Sequence, residues 1–432
     1  MPALANQSLA APVFAALSPC DIAIVGGGLV GCSLFLALKN SGLRVRLIEV
    51  NGPQRQSTPA RDARHLALNA YSVETLIALG VPLDLQAASA ISRIRINRAG
   101  EFGRVDLIAA EHGLMHFGRL ISAEQLGAAL ETAVAKLCRE NPAMQRIQPA
   151  RLVSMLFDES AAELGLQIDE SEAAAQKQAQ QTLRAQLVIG ADGTSGTVQR
   201  LAKLGGQSKI HNYQQSALVF NFSSDLQISG LALERFTDTG PLAVLPLPDQ
   251  RFGAVWTLPN DQAVALQADI KRLSSAFQRA LGSTYGRVSL LSKAAIWPMS
   301  LNQCLPSARD RTALIGNAAQ TIHPLGAQGF NLGLRDAMQM AAFLSQLDSA
   351  AECFKRAAEP DFFAGYAALR APDRENTITF SDGLLTATSS RNGLTRSIRG
   401  FGLALLASNP ILQRDIIRFG VGFTRTRPTQ IR

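Results

Sequence analysis

Residues 21–25, Asp-Ile-Ala-Ile-Val, form a short β-branched run that meets glycines at once, and residues 29–40 are then apolar nearly throughout before Gly42 closes the segment. A second run at 44–50, Arg-Val-Arg-Leu-Ile-Glu-Val, completes the pattern of strand, helix and strand. A βαβ unit at the N-terminus predicts a parallel sheet. Buried-strand patterns return at 185–189 and 312–315, and a helical one at 329–344. Between them, residues 217–258 change to alternating apolar segments punctuated by Gly and Pro, which reads as mostly antiparallel sheet. The chain is thus expected to leave an α/β domain and come back to it. The predicted division is a discontinuous Rossmann-like domain over 19–80, 120–204 and 301–380, a β-rich domain over 81–119 and 205–300, and C-terminal helices over 381–432. Residues 158–182, rich in Ala, Gln and Glu, read as a surface hairpin carrying a tolerated insertion.

Composition narrows the class of protein. With 432 residues, 47% hydrophobic and 18% charged, the chain can build a core without a metal or disulfide staple. Five cysteines stand scattered, with no CxxC pair, as in a reducing cytoplasm. His112 and His116 are four apart but lack an acidic third ligand, so no metal site is expected. The apolar stretch at 9–17 has no Lys or Arg before it, and no run of about twenty uncharged apolar residues follows, which argues against export and against a transmembrane helix. A cytoplasmic protein is expected, with the inner face of the cytoplasmic membrane as a peripheral site.

The net charge of +8 sits almost wholly in the tail, where residues 389–432 hold eight arginines and the single acid Asp415. A solvated basic tail and an anionic membrane surface both fit that pattern, and no interleaved aromatic platform supports nucleic acid. Residues 393–423 alternate Leu403, Leu405, Leu406, Ile411, Leu412, Ile416, Ile417 and Phe419 with arginines, and Pro410 is expected to divide them into two short helices.

The glycines carry the chemistry. Gly26, Gly28 and Gly31 satisfy GxGxxG between a strand and a helix, and Glu49 ends the next strand. Gly26 suits the tight turn, Gly28 a close approach to a pyrophosphate and Gly31 close helix packing, while Glu49 suits the ribose hydroxyls. A second cluster, Gly-Ala-Asp-Gly, puts Asp192 and Gly193 after the 185–189 strand. A third runs from Gly316-Asn317 through Pro324, Gly326, Gly329 and Asn331 into the helix that holds Gly333, Arg335 and Asp336. A glycine-rich loop opening a helix offers free N–H groups to an anion.

In order and spacing these clusters resemble those of the FAD-dependent aromatic hydroxylases with the para-hydroxybenzoate-hydroxylase fold. The stretches Gly-Asn-Ala-Ala-Gln-Thr-Ile-His-Pro, Gln-Gly-Phe-Asn-Leu-Gly-Leu-Arg-Asp and Gly-Pro-Leu-Ala-Val-Leu-Pro-Leu are similar, more narrowly, to the ubiquinone-biosynthesis hydroxylases. The family's usual Asp and His are here Asn317 and Gln320, the form of the branch that acts on octaprenylated methoxyphenols. Gly196 stands where the family has Ser, which leaves the roles of Ser195 and Arg200 open. Arg64 matches the family's arginine beside the flavin, with a surface ion pair as the alternative.

The resemblance implies tightly held FAD, NAD(P)H as transient reductant, and hydroxylation of a polyprenylated methoxyphenol ring with O2 through a flavin C4a-hydroperoxide. Expected partners are the polyprenylphenol and either a membrane surface or a ubiquinone-biosynthesis complex. No acid–base residue stands out, and Pro246, Trp297 and Pro298 are candidate pocket walls. A prenyl reductase, a halogenase or a non-catalytic FAD-binding assembly subunit would share the FAD motifs. The WxWxIP signature of a halogenase is absent around Trp256 and Trp297.

Overall fold

The computed structural model describes residues 15–52, 65–169, 178–194, 196–322, 328–347, 349–359, 361–389 and 409–420. Its first sheet places Met144–Ile147, Val45–Ile48, Cys20–Val25 and Gln178–Gly190 side by side and parallel, and Thr312–Leu314 pairs in parallel with residues 188–190. Along Cys20–Val25, Ile22 and Ile24 enter one buried cluster while Cys20, Ala23 and Val25 enter another. Both faces are therefore covered, which is why residues 22–25 are an unbroken apolar run, while Asp21 before them is buried in an ion pair with Arg44 at 2.8 Å. Leu34 and Phe35 of the Leu29–Ala37 helix share the first cluster with Leu126 and Leu130 of Ala123–Glu140 and with Leu334 and Met340 of Gln328–Leu344. The first half of Gln178–Gly190 turns outward to pair antiparallel with Ala162–Asp169, which in turn pairs with Ala150–Phe157. The expected hairpin is this antiparallel extension, and residues 170–177 of its insertion lie outside the described residues.

The second sheet runs in the order Gln320–Thr321, Ala295–Gln303, Lys209–Ser224, Arg251–Pro259, Pro241–Pro246, Leu231–Phe236, Arg93–Arg98 and Arg104–Ile108. One face packs Leu218, Phe220, Phe222, Phe252 and Trp256 against Leu273 and Phe277 of the Ile270–Leu281 helix. Phe220 and Phe222 meet Phe277 edge-on at 4.9 and 5.0 Å, an arrangement that suits the ring quadrupoles. The other face brings Ala232, Val105 and Leu107 against Ala70, Ile91, Phe117 and Leu120. These last four residues belong to, or adjoin, a three-stranded antiparallel sheet of His65–Asn69, Gly118–Ser122 and Ser89–Ile91. Both faces of this sheet are thus covered.

A single helix, Ala364–Ser389, contains Pro372 and runs across the expected boundary at 380/381. Pro410 opens the Pro410–Gly420 helix, where its missing N–H costs nothing, and Asn409 Oδ1 caps it by accepting from the amides of Ile411 and Leu412 at 3.0 and 3.2 Å. The first of the two expected C-terminal helices falls in 390–408, outside the described residues. Among the described residues no helix is long and apolar enough to cross a membrane, and no group of His, Cys, Asp and Glu could hold a metal.

Candidate functional site

Gly26 leaves the Cys20–Val25 strand with φ +107°, and a Cβ there would lie 2.5 Å from the Ala191 carbonyl oxygen. The glycine thus lets two strand ends close on each other, and Ala191 N donates to the Val25 carbonyl at 2.7 Å. A Cβ on Gly31 would overlap the Gly26 carbonyl, so the helix also needs glycine to seat on the turn. Gly28 is different: a Cβ on it would meet nothing within 4 Å. It is the N-cap of Leu29–Ala37, with no side-chain cap and no acid in the first turn. The first N–H groups of this helix are consequently left for an anion from outside, and the dipole favours one. Glu49 stands at the mouth of the turn, where Oε2 accepts from Gly27 N at 2.6 Å and Oε1 from the Asn51 backbone and side-chain nitrogens at 2.8 Å.

The second cluster follows Gln178–Gly190. Asp192 Oδ2 accepts from Val198 N at 3.0 Å and caps the short Thr197–Leu201 helix. Any Cβ on Gly196, the N-cap residue of that helix, would run into this carboxylate. Glycine at 196, where the family resemblance has serine, therefore makes room for the acid. Asp192 Oδ1 is buried with no hydrogen-bond partner, and burial pushes the carboxyl above its usual range. An acceptor in that state is fit to receive a hydroxyl donor. Replacing Asp192 with Ala should cost about 1 kcal/mol by loss of the cap, read from urea denaturation, and should also reduce FAD content. Unchanged FAD content would make Asp192 a cap alone. Gly193 has φ +84° and faces open space, and Thr194 Oγ1 meets Thr321 Oγ1 at 2.6 Å, which ties the second cluster to the third. Ser195 lies outside the described residues, and Arg200 falls in the Thr197–Leu201 helix.

In the third cluster Gly316, at φ +57°, opens a short turn over 316–318 on which Asn317 is exposed. Val30, from inside GxGxxG, is clamped between Gly316 and Gly333. Their Cβ positions would lie 3.1 and 2.8 Å from its Cγ2. Gly329 faces open space at the start of Gln328–Leu344. Asn331 holds this helix to the three-stranded sheet, accepting from Ser72 Oγ at 2.7 Å and Asn69 N at 3.2 Å and donating to Ala67 O at 2.9 Å. Arg64, Pro324 and Gly326 lie outside the described residues.

A buried ion cluster under the third motif escaped the sequence reading. Asp336 is fully buried and accepts from Gly316 N at 3.0 Å, Gln320 Nε2 at 2.9 Å, Arg370 Nε at 2.7 Å and Arg374 Nη2 at 3.0 Å. Burial alone would raise this carboxyl. The guanidinium groups of Arg374 and Arg370 outweigh it and hold the pKa at about 2. Arg335 pairs with Asp373 at 2.9 Å beside them. The signal in the sequence was faint: Arg370 and Arg374 are one helical turn apart, but no spacing links them to a residue more than thirty positions earlier. Gln320 fits because its amide donates to Asp336, so the departure from the family's histidine keeps a donor at that place.

The three clusters end adjacent parallel strands, Cys20–Val25, Gln178–Gly190 and Thr312–Leu314, at their carboxyl ends. In open α/β sheets this is where a nucleotide cofactor lies. Open N–H groups at Gly28, an acid at the end of the next strand and an unpartnered Asp192 oxygen are what a dinucleotide requires. Residues 19–380 match the family described as FAD binding domain.

The chain belongs to that family.

FAD is its cofactor, with NAD(P)H the reductant typical of the family. Relatives extend over nearly the whole chain. Ubiquinone hydroxylase UbiL of Rhodospirillum rubrum is 29% identical over 94% of this chain and 91% of its own length. The 3-demethoxyubiquinol 3-hydroxylase of Escherichia coli is 29% identical over 94% and 99%. Among solved structures, p-nitrophenol 4-monooxygenase PnpA from Pseudomonas putida superposes with a TM-score of 0.73 at 18% identity, covering 95% of this chain and 99% of that one. PqsL from Pseudomonas aeruginosa, described as a probable FAD-dependent monooxygenase, gives 0.70 at 21% over 89% and 100%. At these identities the structural likeness concerns the fold, which is the mixed α/β architecture expected from the sequence.

Proposed function

We propose that this FAD-dependent monooxygenase hydroxylates the ring of a polyprenylated phenol on the route to ubiquinone. The observation that carries the reading is similarity to ubiquinone-biosynthesis hydroxylases across 94% of the chain. FAD, when bound, supplies electron transfer from NAD(P)H and the activation of O2. The protein's own part is to bind, orient and keep dry. The N-terminus of Leu29–Ala37 would hold the pyrophosphate, Glu49 the adenosine ribose, and Asp192 with Gly193 a ribityl hydroxyl. Asn317, Gly329 and the Pro324–Gly326 stretch would lie beside the isoalloxazine. Arg64 would stand at its edge, and Asn331 would act from behind by holding its helix in place. Ala232, Val105, Leu107, Ile94 and Ile96 would exclude water from the reacting ring. Trp297, 45% exposed, stays a wall candidate, whereas Pro246 registers against Phe252 on the helix-covered face and does not line the inner one.

The test is aerobic turnover of the FAD-loaded protein with NADH or NADPH and a short-chain prenylphenol, analysed for a catechol product. Oxidation of NAD(P)H that yields only peroxide, with every prenylphenol tried, would remove the hydroxylase reading. A prenyl reductase would instead return a product with a saturated side chain.

The C-terminal segment supports docking on an anionic membrane surface, where a polyprenyl tail partitions. Ile417 anchors the Pro410–Gly420 helix in the buried cluster with Ala70, Val105 and Phe117, and Asn69 Nδ2 donates to Gly420 O at 3.4 Å. Ile411 on the same helix is 70% exposed and Leu412 41%, with Arg414 exposed between turns and Met115 92% exposed beside the cluster. An apolar tip with a cation fits the headgroup boundary. The full chain is expected to co-sediment with anionic liposomes, to be released by salt, and to bind more strongly than a chain ending at Ser389. Equal, salt-independent behaviour of the two would count against the membrane and leave a partner complex as the docking site.

A further inference from the structure

Leu231 and Leu233 of the Leu231–Phe236 strand enter the aromatic core under the Ile270–Leu281 helix. Ala232, Glu234 and Phe236 alternate to the opposite face. There Ala232 joins the cluster shared with the three-stranded sheet, and Phe236 packs with Ile96 and Tyr213. Glu234 stands between them, registered against Ala243 on one neighbouring strand and Ile96 on the other. Its Oε1 is buried without a hydrogen-bond partner. The residue as a whole keeps partial accessibility, although this carboxyl oxygen is buried. Burial pushes that carboxyl up to about 7, and no charged neighbour contributes.

The charges of the adjoining strands are spent elsewhere. Arg95 pairs with Asp106, and Arg235 donates to the Ala280 carbonyl, all at positions that alternate to the helix-covered face. Arg98 is held by Glu101 and Asp238. Tyr213, stacked edge-on with His211 at 4.7 Å, is the other titratable side chain of the small cluster. The loop leading to Gly118–Ser122 adds His116, which burial and the nearby Arg119 hold below its usual range. A lone carboxylate on an otherwise apolar inner face costs stability, so its presence calls for a task.

We propose that Glu234 accepts the phenolic proton of the substrate during ring hydroxylation. This role rests on the hydroxylase reading above. As a ring carbon ortho or para to the hydroxyl takes up the oxygen atom delivered from O2, the phenolic O–H bond breaks. Its proton passes to the Glu234 carboxylate, and its electron pair becomes part of the C=O bond of a dienone. The proton returns to that oxygen when the same ring carbon loses its hydrogen to solvent, so aromaticity and the carboxylate are both restored. The second atom of O2 leaves as water, with NAD(P)H as the two-electron donor. Until the oxygen atom is delivered the phenol and Glu234 share one negative charge; it then leaves with the second atom of O2, which takes up protons from solvent to depart as water.

The test compares the FAD-loaded full chain with Glu234→Gln and Glu234→Asp, using a short-chain prenylphenol and NAD(P)H. Wild-type kcat should rise with pH through about 7 and then level off. Glu234→Gln should lower kcat by about 100-fold or more with KM changed only a few-fold, should lose that limb, and should divert NAD(P)H oxidation to peroxide. Glu234→Asp should keep the limb at a reduced rate. A readout apart from turnover is thermal stability. The folded-state pKa lies above the ordinary 4.5, so the wild type loses stability as pH rises from there through about 7. The advantage in melting temperature of Glu234→Gln should therefore be larger at pH 8 than at pH 5, both being approximate set points.

Wild-type product formation with an unchanged rate and pH limb in Glu234→Gln would overturn the role and leave the hydroxylase reading standing. Should Glu234→Gln lose its FAD, the wild-type profile and Glu234→Asp decide, and a wild-type profile that is flat across neutral pH would overturn the role.

Discussion

Gly28→Val is expected to yield a folded but colourless protein. A Cβ at this position meets nothing within 4 Å, so the side chain costs the apoprotein little. The space it enters is the one in front of the uncapped first turn of Leu29–Ala37, where the backbone N–H groups are free. Holding a pyrophosphate away from two such charge-assisted bonds forfeits about 3–6 kcal/mol, on the order of 10²–10⁴ in affinity. Gly31→Val separates the two effects. Its side chain would overlap the Gly26 carbonyl, so it should destabilise the apoprotein as well. FAD per chain after gel filtration, read by absorbance, together with the melting temperature of the apoprotein, distinguishes these outcomes. Gly28→Val that keeps full FAD would mean that the cofactor does not approach this turn.

Asp336→Asn should cost about 3–5 kcal/mol, because Arg370 and Arg374 would be left buried without their counter-ion. That is a large part of the 5–15 kcal/mol typical of a folded domain. The folded-state pKa of about 2 lies below the ordinary 3.8, so the ionised cluster contributes fully above that ordinary value and is lost as pH falls through about 2. The wild type should thus hold this contribution far into the acid range, and the variant should not. Because Asp336 also fixes Gly316 N and Gln320, FAD content should fall alongside stability. Urea denaturation at neutral and acid pH measures the difference. A variant within about 1 kcal/mol of the wild type would show the arginines satisfied without Asp336.

What could be read from the sequence was local. Gly26, Gly28, Gly31 and Glu49 lie within one βαβ unit, so strand, turn, helix and acid declare one another by spacing. The parallel and antiparallel parts of the fold were also plain, the first from short apolar runs such as 22–25 and 312–315, the second from alternating segments punctuated by Gly and Pro. Asp192 was visible, but its cap on Val198 and the matching glycine at 196 depend on the turn between them. The Asp336 cluster joins Gly316, Gln320, Arg370 and Arg374 through tertiary packing, for which no periodicity exists. Glu234 was hidden for a different reason. A carboxylate at alternate positions of a strand ordinarily marks the solvent face, and here that face is covered by a second sheet. Ile417 was one of many apolar residues in the tail, and only the packed helix distinguishes it from exposed Ile411.

The chain is expected to transfer one oxygen atom from O2 to a phenol ring, with FAD held at the three glycine clusters. Turnover of a short-chain prenylphenol under isotopically labelled O2 tests it most directly. The expected product is a catechol that carries one labelled oxygen atom, formed with one NAD(P)H oxidised per product and abolished in Gly28→Val. A catechol labelled from water instead, or NAD(P)H oxidation that produces only peroxide with every phenol offered, would contradict it.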